Sequence, residues 1–123
     1  METLPLHTLP KAERLSGKTS IASLLHEGHY LSVGCLRGCF VAGNGFSYSR
    51  ILVSVPKKSF KRAVRRNLLK RRIRESYRLQ KELLGTPCDL MLIYTAREVL
   101  PFETIFADMT GLLTAVSTQN GGK

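Results

Sequence analysis

Arg66, Asn67, Lys70, Arg71, Arg74, Arg78 and Lys81 recur at spacings of 1, 3, 1, 3, 4 and 3. On a helix advancing about 100° per residue, these side chains share an arc of roughly 140°. Arginine predominates over lysine between residues 57 and 81, and its planar fork suits phosphate oxygens bidentately. Asn67 sets a donor and an acceptor inside the cationic arc, fit for a base edge, a ribose 2′-hydroxyl or a phosphate. Arg62, Arg65 and Arg72 form a second group with Lys61. Leu69, Ile73, Tyr77 and Leu84 make an apolar strip beside the arc, able to anchor the helix and turn the cations outward.

Residue sets for catalysis are thinner. His26 and His29 flank a predicted helix end with Glu27 between them. Such a pair could serve acid–base cleavage, but a surface helix terminus is the plainer reading. Glu75 and Glu82 are seven apart and Asp89 opens a strand, so no paired acids suggest a protein two-metal nuclease. No phosphate-cradling glycine loop appears. Cys35, Cys39 and Cys88 are odd in number and lack C-x-x-C spacing, which argues against a disulfide framework or a zinc site. Free thiols in a reducing compartment are expected.

The charge is local. The 123 residues carry 19 basic and 9 acidic side chains, a net of +10. Residues 57–81 hold twelve of the basic residues and one acid, and the rest of the chain holds seven and eight. Like charges one turn apart repel by a few tenths of a kcal/mol per pair, a cost that a lattice of anions offsets. A solvated helix face normally mixes both signs. A membrane-surface helix needs a broader apolar face than this strip. A groove-reading DNA helix lacks a helix-turn-helix partner or a zipper. The balance favours a polyanionic partner.

The chain is long enough for one domain with a modest core. Residues 1–13 read as an extended arm, 14–116 as one α/β domain and 117–123 as a disordered tail. A short helix is expected from Ser16, capped by Thr19 or Ser20 and ended by Gly28. Strands are expected at 33–42 and 46–55, paired as a hairpin through the Gly43-Asn44-Gly45 turn. Ser49, Ile51, Val53 and Val55 share one face of the second strand, and Arg50, Leu52 and Ser54 the other. A helix capped by Ser59 should run to about Leu84. The apolar run 88–96 reads as a buried central strand, and 102–116 as an amphipathic helix whose apolar face meets the sheet. No basic start leads into an apolar run, and no span is long enough to cross a membrane, so a cytoplasmic protein is expected. One sheet with helices packed on it is the simplest arrangement.

The segment FKRAVRRNLLKRRIRE (60–75) resembles the signature of the protein subunit of bacterial ribonuclease P. The places that carry the resemblance are Phe60, Ala63, Arg66, Asn67, Lys70, Arg71 and Arg74. RILVSVPKK (50–58) is similar to the strand and lysine pair that precede it. Looser similarity covers RLSGKTSIASLLHEG (14–28) and DLMLIYTA (89–96). The resemblance implies an α+β fold, a two-layer α/β sandwich with a mixed sheet and a left-handed βαβ crossover; handedness rules alone predict a right-handed one. It implies a monomeric protein that binds a catalytic RNA and the 5′ leader of precursor tRNA, with Mg²⁺ held mainly by the RNA and the hydrolysis performed by the RNA. Contacts to RNA are then expected from Lys57, Lys58, Arg62, Arg65, Arg66, Asn67, Lys70, Arg71, Arg74 and Arg78. A leader cleft is expected at Ile21, Leu25 and Arg50. Leu68 stands where the family often has a basic residue, and Ile21 and Leu25 stand where it usually has aromatics. A structural RNA-binding protein of ribosomal type is the alternative, and a stand-alone nuclease a third reading.

Overall fold

A computed structural model describes residues 18–42, 48–85 and 87–121. The elements are α1 (Lys18–Glu27), β1 (His29–Val33), β2 (Leu36–Ala42), β3 (Arg50–Ser54), α2 (Ala63–Arg78), a 3-10 turn (Lys81–Leu84), β4 (Cys88–Tyr94) and α3 (Phe102–Gly121). The strands form one mixed sheet in the order β1-β2-β4-β3. β4 runs antiparallel to β2 and parallel to β3, so α2 is the crossover of a β3–α2–β4 unit.

Alternation along β4 sorts its side chains onto two faces. Cys88, Leu90, Leu92 and Tyr94 point into the main core, against Leu69, Ile73 and Tyr77 of α2 and Ile105, Met109, Leu112, Leu113 and Val116 of α3. Full burial of each large apolar side chain contributes about 1.5–3 kcal/mol, so this face dominates stability. Met91 points the other way and packs with Val41 and Leu52 around Leu24 and Cys39. α1 thus covers part of the opposite face and leaves the remainder open among the described residues.

The predicted pairing of strands 33–42 and 46–55 does not occur. β4 lies between β2 and β3, and β2 instead forms a hairpin with β1, which the sequence reading missed. The physical reason is the Gly34-Cys35 turn. Gly34 has φ of +56°, the left-handed conformation favoured at the first position of a two-residue hairpin turn. The Cys35 N–H then donates to Asp108 Oδ2 at 2.9 Å, tying the turn to α3. The Gly43-Asn44-Gly45 segment and the arm at 1–13 lie outside the described residues.

Other boundaries also move. α1 already contains Thr19 and Ser20, so neither caps it, while Gly28 does follow its last residue. A side chain at Gly28 would meet the Leu24 carbonyl at 2.4 Å and Cys39 Sγ at 2.5 Å, which makes this close approach possible only for glycine. α2 begins after Arg62, which provides no side-chain cap, rather than at Ser59. It ends at Arg78 because Gln80 departs from helical dihedrals (φ −140°, ψ 27°). The Gln80 amide donates to the Phe106 carbonyl at 3.1 Å and accepts from Thr110 Oγ1 at 2.6 Å, so buried polar bonds to α3 replace a continued helix. α3 continues to Gly121, past the expected end at 116, so 117–121 are helical where a disordered tail was expected.

Candidate nucleic-acid interface

α2 presents two opposed faces, as its periodicity requires. Leu69 and Ile73 are fully buried, Tyr77 and Leu84 nearly so, and Ser76 joins them by donating to the Ile73 carbonyl at 2.9 Å. The outer side carries Arg62, Arg65, Asn67, Arg71 and Arg74, all exposed, with Lys70 half-buried beside them. Lys57 and Lys58 are exposed in the turn that leads to the helix. None of these eight side chains forms a hydrogen bond or ion pair among the described residues. Leu68, in the midst of the group, is half-buried.

Three arginines of α2 are engaged internally. Arg66 Nη1 donates to the carbonyls of Phe60 and Lys61 at 2.7 and 2.9 Å. Arg72 Nη1 donates to the Leu100 carbonyl at 2.6 Å. Arg78 Nε donates to Glu75 Oε1 at 3.0 Å, and that pairing holds the Glu75 carboxyl below the usual range. The cationic field therefore centres on Lys70, Arg71 and Arg74, with Arg62 and Arg65 towards the N-terminal end.

The open sheet face holds the predicted cleft residues in unequal roles. Ile21 is half-buried and Leu25 is 42% exposed, so the two differ in what they offer a ligand. Arg50 is bound to Asp89. The sequence reading missed Tyr30, 43% exposed on β1, whose hydroxyl donates to the Leu25 carbonyl at 3.3 Å. The Arg37 guanidinium carbon lies 4.6 Å from the Tyr30 ring centroid, a cation–π distance. Recognising β1 as a strand would have put Tyr30 opposite Cys39 on this face.

The candidate catalytic sets are not assembled. His26 and His29 are both exposed, and His29 tilts against Phe40 with ring centroids 5.7 Å apart. Cys35 and Cys39 belong to separate core clusters, and all three cysteines are free and buried. No group of three or more His, Cys, Asp or Glu side chains suited to a metal occurs among the described residues. Nor is any helix among them long and apolar enough to cross a membrane.

The fold and this face define a class: a small α+β protein with a mixed four-stranded sheet and a crossover helix whose outer side is strongly cationic. Residues 9–117 match the family model for ribonuclease P. A ribonuclease P protein component from Porphyromonas gingivalis is 42% identical over 96 residues, 76% of this chain and 70% of that protein. The ribonuclease P protein from Thermotoga maritima superposes with a TM-score of 0.74 at 30% identity, covering 84% of this chain and 96% of that one. The fold is shared with the Staphylococcus aureus protein at a TM-score of 0.75, over 85% and 95% of the two chains at 23% identity. The chain belongs to the ribonuclease P protein family, a protein component of the ribonuclease P holoenzyme that processes the 5′ end of tRNA. Its partners are accordingly the ribonuclease P RNA and precursor tRNA.

Proposed function

We propose that the outer face of α2 binds the catalytic RNA, and that the open sheet face beside α1 takes the single-stranded 5′ leader. The observation that carries this reading is the group Lys57, Lys58, Arg62, Arg65, Asn67, Lys70, Arg71 and Arg74: Lys70 is half-buried and the rest exposed, and none has a side-chain partner among the described residues. Their charge is available to phosphates, and neutralising phosphates displaces counterions from the RNA. Arg66 and Arg78 contribute through whatever donors remain beyond their internal bonds. Leader contact falls to Leu25 and Ile21, with Arg50 held at the edge by Asp89.

The cationic face does not fit Mg²⁺, which takes oxygen ligands; its carboxylate Glu75 is held by Arg78. Mg²⁺ is assigned to the RNA, as is the hydrolysis. The protein's part is to bind and position the two RNAs, in the cytoplasm.

Cleavage of precursor tRNA at low Mg²⁺ tests the reading. The protein alone should leave the substrate intact, and it should stimulate the cognate catalytic RNA. Cleavage by protein alone would make it a nuclease. Tight binding to a different RNA, with no stimulation, would make it a structural RNA-binding protein.

A further inference from the structure

Two loops meet at the carboxyl ends of the parallel strands β3 and β4, the end of an α/β sheet where ligands commonly lodge. One is 55–62, leading into α2, and the other is 95–101, leading into α3. Between them lies a crevice of about 460 Å³, lined by Lys58, Ser59 and Arg97 among the described residues. Lys58 and Arg97 are exposed and form no side-chain hydrogen bond or ion pair among the described residues. Two cations and a hydroxyl thus share a concave site with no carboxylate in its lining among the described residues.

The walls are fastened from behind. Arg66 grips the first loop through the carbonyls of Phe60 and Lys61. Arg72 grips the second through the carbonyl of Leu100. Tyr94 adds two bonds to that loop: its hydroxyl donates to the Glu98 carbonyl at 2.6 Å and accepts from the Leu100 N–H at 3.2 Å. Two arginines of the signature helix therefore set the width of the crevice instead of facing outward. A site fixed this way loses little freedom on binding.

We infer that the Lys58–Ser59–Arg97 crevice binds a phosphate group of the RNA backbone, extending the RNA-binding surface from α2 around the end of the sheet. The inference rests on the RNA-binding reading above. Arginine and lysine supply charge-assisted bonds and Ser59 a neutral donor, the usual complement for a phosphate. Arg97, absent from the sequence expectation, becomes an RNA contact. Ser59, expected as a helix cap, becomes a ligand donor.

The test uses the full chain with the cognate catalytic RNA and, in the assembled holoenzyme, with precursor tRNA. Arg97→Gln should weaken one of the two associations several-fold and reduce the magnitude of its log K against log salt slope by roughly 0.7–0.9, one phosphate's worth. Lys58→Gln should do the same, and the double variant should lose less than the sum, because both side chains serve one phosphate. Unaltered melting temperatures would show that the fold is intact. Arg71→Ala separates the two readings. If it weakens binding while Arg97→Gln leaves both slopes unchanged, the crevice assignment is wrong and the α2 assignment stands. If neither variant weakens binding, the RNA-binding reading itself fails. Inorganic phosphate titrated into the isolated protein distinguishes the source of the ligand. A shift of the Arg97 side-chain N–H resonance together with unchanged RNA slopes would make this a small-anion site and overturn the assignment to RNA.

Discussion

Arg50 and Asp89 lie opposite one another on the parallel β3–β4 pair and close a two-point ion pair, Nε to Oδ1 at 2.9 Å and Nη2 to Oδ2 at 2.7 Å. Donating to the Asp89 carboxylate raises the Arg50 pKa above its ordinary value. A cation at the edge of the open face is thereby partly withheld from a ligand. Asp89→Asn should release it. Affinity for a single-stranded leader oligonucleotide should rise a few-fold at low salt, with the salt slope steeper by about 0.7. Stability should fall by about 1 kcal/mol or less, the usual range for a partly exposed pair. Fluorescence anisotropy across a salt series reads the first effect, and an unchanged slope would remove Arg50 from the leader surface.

Arg66 and Arg71 belong to one signature but should fail differently. Arg71→Ala removes a solvent-facing charge, so RNA affinity and salt slope should drop while the melting temperature stays within about 2 °C, as for ordinary surface changes. Arg66→Ala also leaves the carbonyls of Phe60 and Lys61 without their guanidinium donor, at a cost of about 1–3 kcal/mol. Its melting temperature should fall along with its RNA affinity. Equal thermal stability of the two variants would contradict the clasp. If about six phosphates are engaged, the wild-type slope should be about −4 to −5.

Anions should stabilise the isolated protein. Lys70, Arg71 and Arg74 stand within two turns of α2 without partners among the described residues. Sulfate or phosphate at ten times its dissociation constant would add about 1.4 kcal/mol, several degrees of melting temperature for a domain of this size. Chloride at matched ionic strength provides the control. A melting temperature indifferent to sulfate and phosphate would count against a preformed phosphate lattice.

Alkaline pH should loosen the fold through Cys35. Burial, then the hydrogen bond with Asp108, pushes its thiol pKa up to about 12, against about 8.5 in an unfolded chain. Between those values the folded state keeps a proton that the unfolded state loses, so stability falls as pH rises. The Cys35 contribution is fully present below about pH 8.5 and is lost through pH 12. Tyr94, raised chiefly by burial, adds to the same trend at higher pH. Denaturant melts from pH 8 to 10.5 should show Cys35→Ala losing less stability over that span than wild type. Parallel curves would place the titration elsewhere.

Helical periodicity made much of the molecule legible. The strip Leu69, Ile73 and Tyr77 and the core set of α3 follow from spacing alone, because packing acts on one stripe of each helix; Leu84 is also buried, but from the 3-10 turn that follows the break at Gln80. The apolar run of β4 likewise announces a central strand, with one face in the main core and the other half-buried. Strand order was not legible. β2 and β3 are neighbours in sequence, yet β4 enters between them through contacts distant along the chain. β1 was hidden because Gly34 can be read either as strand interior or as a turn, and only a positive φ decides. Helical spacing also fixes where a side chain starts, not where a long arginine ends. Arg66 and Arg72 reach back to carbonyls on loops that the crossover brings near, and Arg97 approaches Lys58 only because those loops share one end of the sheet.

The crossover helix has a consequence for the cost of assembly. α2 is the covalent link between two hydrogen-bonded strands, and its inner strip is part of the main core. The backbone positions of its cations are consequently fixed before RNA arrives, like graduations on a rule. Ordering on association then falls mainly on side chains and on the RNA. On the proposed reading of α2, an RNA whose phosphates match the rise of this helix would be accepted as it stands, and one that does not would have to bend to it.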